Sequence, residues 1–89
     1  MNLQATKIID VKLSIGELVR NLRKRDNLSQ DELAALLNIT RGTIKNLEHG
    51  KNINIDTLLK VLQHFDLLTN FSEYVTNQKS NVININSLY

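Results

Sequence analysis

The chain has 89 residues, 42% hydrophobic and 4% aromatic, with no cysteine, no proline and a formal net charge of +2. That length suits one domain with a compact core, and the absence of cysteine excludes disulfides, thiolate nucleophiles and cysteine-ligated zinc. The charge is uneven: residues 1–51 hold nine Lys/Arg against six Asp/Glu, whereas residues 52–89 hold two against three, so any attraction to a polyanion belongs to the first half.

In chain order, Ile9, Val11 and Leu13 alternate with Asp10 and Lys12, a period of two that suggests a short strand. Ser14 with Glu17 then forms a capping box, starting a first helix over about 15–26 with Ile15, Leu18, Val19 and Leu22 inward. Ser29 with Glu32 repeats the box and starts a second helix over about 30–37, which stops at Asn38, a residue tolerant of left-handed backbone. Thr40 caps a third helix over about 41–49, and Gly50 stops it.

A fourth helix over about 55–65 is capped by Asn54, with Leu58, Leu59, Val61, Leu62 and Phe65 apolar. Asn70 and Glu73 mark a short fifth helix over about 71–76, after which Ile83, Ile85 and Ser87 alternate with Asn84 and Asn86 as a second strand. A lone strand is unstable in water, so each terminal strand needs the other end of the chain or a second subunit; the plainer alternative is a disordered tail. The expected fold is mainly α, a bundle of four to five helices with short terminal strands used in dimerisation. It divides into an arm at 1–13, a helical domain at 14–68 and an extension at 69–89.

Positions 30–47, QDELAALLNITRGTIKNL, combine a helix of eight residues, a short turn and a second helix, the pattern of a helix-turn-helix. Ala34 supplies the small residue the crossing needs and Asn38 the turn, while Ile44 and Leu47 close the seam. This stretch resembles the helix-turn-helix family of the lambda and 434 repressors, Cro proteins and xenobiotic-response-element type regulators. Gln30, Ala34, Ile44 and Leu47 match its pattern, and LEHGK at 47–51 resembles the LENGK that commonly follows. The resemblance covers about 14–67 and departs at Asn38, where glycine is usual. It implies a lambda-repressor-like bundle that binds double-stranded DNA.

Projected at about 100° per residue, the third helix turns Ile44, Leu47 and, at one edge, Glu48 toward the core, with Thr40 and Thr43 on the same side. Arg41, Gly42, Lys45, Asn46 and His49 make an opposite face without a carboxylate, a composition that favours a polyanion. The resemblance implies base reading by Arg41, Lys45 and Asn46, with Gly42 on the same face allowing close approach. It implies backbone contacts by Gln30, Thr40, Thr43, His49, Lys51 and Asn52, and a structural ion pair between Arg23 and Glu48.

No phosphate loop, nucleophile–base pair or metal-ligand spacing occurs, so the reading is of a protein without catalytic function, metal or cofactor. No segment reaches the roughly 18 to 20 apolar residues of a membrane span, and the start lacks a signal-like apolar run, so the expected location is cytoplasmic, of bacterial or phage type and nucleoid-associated. One reading helix covers roughly four or five base pairs, which calls for a homodimer on a near-palindromic operator. Leu67, Leu68, Phe71, Tyr74, Val75, Val82, Ile83 and Ile85 are the dimer candidates.

The strand-plus-helix extension and the leading segment IIDVKLSIGELVRNLRK resemble the HipB-type antitoxins, which implies autoregulation of an operon and binding of a kinase-like toxin. A Cro-like repressor, a restriction-modification controller, and a protein-interaction module without DNA binding are the alternatives.

Overall fold

Five helices follow one another in the computed structural model, which describes the backbone of residues 6–87 and side chains through residue 84. They are α1 (Ile8–Arg25), α2 (Gln30–Leu37), α3 (Arg41–Glu48), α4 (Ile55–His64) and α5 (Leu68–Ser87). Three begin on side-chain caps, each satisfying an amide that the first turn leaves unpaired. Ser29 and Glu32 form the reciprocal capping box of α2, Thr40 accepts from the Thr43 amide, and Asn54 accepts from the Thr57 amide at 2.8 Å.

All four inter-helix turns use one device. A left-handed residue ends each helix (Asn27, Asn38, Gly50 and Asp66), and the next amide bonds a carbonyl five residues back. These bonds are Leu28 to Arg23, Ile39 to Ala34, Lys51 to Asn46 and Leu67 to Leu62, at 2.7–3.0 Å. In a chain without proline and with three glycines, asparagine and aspartate carry most of the left-handed geometry, which their short polar side chains tolerate. After three of these residues comes an apolar side chain, Leu28, Ile39 or Leu67, that packs against the core. After Gly50 comes Lys51, which is exposed.

The core gathers Val19 and Leu22 of α1, Leu33 and Ala34 of α2, Ile44 and Leu47 of α3, and Val61 and Phe65 at the end of α4. Burying each large aliphatic side chain contributes about 1.5–3 kcal/mol. Helices α2 and α3 pack on each other, α1 lies across α3, and α5 docks on α4. At the α1–α3 crossing a Cβ on Gly16 would meet the Glu48 carbonyl oxygen, with the Glu48 carbonyl carbon at 2.8 Å and the Leu47 oxygen at 2.9 Å. Backbone therefore rests on backbone there, and only glycine fits.

Both expected strands are corrected. Among the described residues there is no strand: positions 9–13 belong to α1, and positions 82–87 to α5, so Val82, Ile83 and Ile85 are helical. The alternation spans only five residues at either end and is overridden by a longer helical period. Ile8, Val11, Ile15, Val19 and Leu22 recur every three or four residues, as do Leu68, Phe71 and Val75. Leu88 and the Ile85 side chain lie outside the described residues.

Two capping boxes also fall: Ser14 lies in the second turn of α1, where the amides are already paired, and Asn70 is the third residue of α5 rather than the residue before its start. Consequently α1 starts seven residues earlier than position 15, and α5 runs from 68 to 87 rather than 71 to 76. No helix among the described residues is long and apolar enough to cross a membrane.

Candidate nucleic-acid interface

Helix α3 is fixed on one side and open on the other. Its fixed side carries Ile44 (0% exposed), Leu47 (1%) and Glu48 (4%). The Glu48 carboxylate joins three helices: Arg23 Nε donates to Oε2 at 2.6 Å and Arg23 Nη2 to Oε1 at 3.0 Å, and Gln30 Nε2 donates to Oε1 at 3.2 Å. Arg20 stands 3.6 Å from the same carboxylate. The third Arg23 nitrogen, Nη1, donates to the Leu28 carbonyl at 2.9 Å, tying this cluster to the α1–α2 turn.

Burial pushes the Glu48 carboxyl upward, but hydrogen bonds from Arg23 and Gln30 and the charges of Arg23 and Arg20 outweigh it, so its pKa lies below the ordinary value. The same bond from Glu48 holds the Arg23 guanidinium above its ordinary value. A buried charge pair is tolerable only when its remaining hydrogen-bonding capacity is met, and no described buried side-chain polar atom lacks a partner. The ion pair thus locks the last residue of α3 to α1 and α2.

On the open side, Arg41, Gly42, Lys45, Asn46 and His49 are all exposed, and Lys51 and Asn52 continue the surface through the following turn. A Cβ on Gly42 would meet nothing closer than the Thr40 hydroxyl at 3.9 Å, so the fold leaves that position free. Thr40 is exposed at the helix start and Thr43 half-buried; their hydroxyls lie 2.8 Å apart, which stiffens the first turn. Gly50, with φ +70°, packs where a Cβ would come 3.1 Å from the Lys12 carbonyl, so the early turns of α1 support the turn that presents Lys51. The arrangement offers two cations, an amide and a bare backbone patch on one helix face, flanked by a third cation.

Gln30, read as a backbone contact, is half-buried and gives its amide to Glu48. Of the dimer candidates, Leu67 and Leu68 are half-buried, while Phe71, Tyr74, Val75, Val82 and Ile83 are exposed. They lie far along the chain from α3 and do not join its surface. Leu68, Phe71 and Val75 border, with Leu59, a groove of about 530 Å³ between α4 and α5.

Gly16, Arg20 and Asp31 were not singled out from sequence. Gly16 was detectable, since a mid-helix glycine costs roughly 1 kcal/mol against alanine and asks for a packing reason. Arg20 and Asp31 carried no such signal. Asp31 stands in the first turn of α2, its Oδ1 3.9 Å from Arg41 Nε, with both side chains largely exposed.

Comparison with known proteins finds the helix-turn-helix family model matching residues 19–69. The uncharacterised helix-turn-helix type transcriptional regulator y4mF of Sinorhizobium fredii is 45% identical over 58 residues, covering 64% of this chain and 76% of that protein. A protein of Methanocella arvoryzae assigned as a helix-turn-helix type transcriptional regulatory protein is 41% identical over 51 residues, and one of Methanosphaerula palustris so assigned is 33% identical over 51. Each covers 57% of this chain, which spans only 16% and 17% of their respective lengths.

Proposed function

The chain belongs to the helix-turn-helix family of the lambda-repressor and xenobiotic-response-element type, and on that footing we propose that it is a sequence-specific DNA-binding transcriptional regulator. One observation carries this: α3 is held by Ile44, Leu47 and the Glu48 ion pair on one side and exposes Arg41, Gly42, Lys45 and Asn46 on the other. A helix of this kind enters the major groove with its N-terminal residues toward base edges. Arg41 and Lys45 donate to guanine O6 and N7, and Asn46 pairs with adenine. Thr40, Thr43, His49, Lys51 and Asn52 hold phosphates and set the register. Gln30, at the start of α2, braces α3 through Glu48.

The working unit we infer is a homodimer on a near-palindromic operator, its reading helices about 34 Å apart. Support comes from α5, where Leu68, Phe71, Val75 and Val82 follow a three-, four- and seven-residue spacing and the last three are exposed. Such a stripe suits pairing with the same helix of a second copy. The narrower role of an autoregulating antitoxin that binds a kinase-like toxin loses the strand that suggested it and keeps the resemblance of the leading segment. A kinase-like gene beside this one would support that role.

Selection of bound duplexes from a random pool tests the main proposal. The expected product is an inverted repeat of two short half-sites; a pool that stays random after successive rounds, with folded protein, would reject it.

A further inference from the structure

The ion pair between Asp31 and Arg41 spans the two helices of the motif on its exposed side, and nothing in the packing requires it. Both side chains are largely in water, 72% and 65% exposed, and Asp31 Oδ1 stands 3.9 Å from Arg41 Nε. An exposed pair of this length adds little to stability. The neighbouring acid in the same turn, Glu32, is used differently, since its carboxylate accepts the Ser29 amide at 2.9 Å in the capping box. Asp31 leaves its carboxylate on the surface, at the end of α2 that approaches the DNA backbone in this docking geometry. A negative charge there favours the α2 N-terminus but repels phosphate and weakens binding of any duplex, so what it can add to DNA binding is discrimination.

We propose that Asp31 is a specificity-determining positioning residue, which holds Arg41 by its Nε edge so that the guanidinium serves guanine rather than phosphate; this rests on the DNA-binding reading above. Arg41 has two competing uses. Taking a phosphate requires no sequence, whereas the end-on bidentate contact to guanine O6 and N7 does. The Asp31 carboxylate comes nearest Arg41 at Nε, 3.9 Å away, which leaves both Nη groups for the end-on fork that guanine needs. The same carboxylate offsets the arginine charge that a phosphate would otherwise attract. Asp31 thus lowers affinity for arbitrary sequence more than affinity for the operator.

The experiment compares binding of the selected operator and of a scrambled duplex of equal length by the full chain, by Asp31→Asn, by Arg41→Gln and by the double variant. Asp31→Asn is expected to raise affinity for the scrambled duplex about fivefold and steepen its salt dependence by about one phosphate equivalent. The operator-to-scrambled ratio should fall about fivefold. In the Arg41→Gln background the same substitution should leave that ratio within about twofold. An unchanged ratio on Asp31→Asn, or an equal change with and without Arg41, overturns the assignment while leaving DNA binding intact. Unmodified protein that does not distinguish the duplexes overturns the DNA-binding reading and the assignment together.

Discussion

Gly16 and Gly42 both lie inside helices, where glycine is intrinsically unfavourable, yet their surroundings are opposites. At Gly16 an added Cβ would run into the backbone of Leu47 and Glu48 within 2.9 Å, whereas at Gly42 the nearest atom is a threonine hydroxyl at 3.9 Å. Gly16 is required from within, because α1 must lie against the end of α3 for Arg23 to reach Glu48. Gly42 is not required by any neighbour in the fold, which leaves close approach to DNA, as proposed above, or simple tolerance at a first-turn position. The two positions mark the two sides of α3: one closed by backbone packing, and one left open to solvent.

Substitutions that test this contrast run from the joint outward. Gly16→Ala has no flexible side chain to displace, only backbone, and should destabilise by about 3 kcal/mol, at the upper end for overpacking; a denaturant titration showing less than about 1 kcal/mol would mean that α1 can lift off without penalty. Glu48→Gln leaves Arg23 without its counter-charge in a site where the Glu48 side chain is 1% exposed, and a loss of about 3 kcal/mol is expected.

Acid should act on the same carboxylate. Its folded pKa lies below the ordinary value, so the stabilisation is full above the ordinary carboxylate range and drains as pH falls from that range through the lower folded pKa. Thermal midpoints of the unmodified protein should therefore decline between about pH 5 and pH 3, and those of Glu48→Gln should decline less. Smallest in stability is Gly42→Ala, which should gain up to about 1 kcal/mol through helix propensity while weakening operator binding. Binding that holds as stability rises would show that Gly42 is merely tolerated.

The helix-turn-helix was legible because its signals are local: Ser29–Glu32, Thr40 and Asn54 are caps within three residues of what they cap, and Ala34, Ile44 and Leu47 recur at helical spacing. The ends were misread for the same reason. Five alternating residues outweighed a weaker period that only becomes visible over the full length of α1 and α5. The left-handed turns at Asn27 and Asp66 resemble ordinary polar residues in a string, and declare themselves only by the apolar Leu28 and Leu67 that follow.

Tertiary partnerships were harder still. Arg23 with Glu48 followed from family resemblance, but the donation from Gln30 to Glu48 and the approach of Asp31 to Arg41 depend on how α2 crosses α3, and crossing geometry is not a local property. The turn after α3 gives an intermediate case. Its Gly50 was readable as a helix stop, whereas the contrast between exposed Lys51 and the half-buried apolar residues of the other three turns needed the structure.

The most direct test is the dissociation constant of the selected operator measured across ionic strength for the unmodified protein and for Lys45→Ala with Arg41→Gln. A dimer that reads bases with the open side of α3 and neutralises several phosphates around it should lose affinity steeply with salt, with a log–log slope of roughly −0.9 per phosphate contacted. The double variant should bind the operator no better than scrambled DNA while keeping its fold. Affinity indifferent to salt, or an operator preference that survives loss of both side chains, would contradict the assignment of this helix face to DNA.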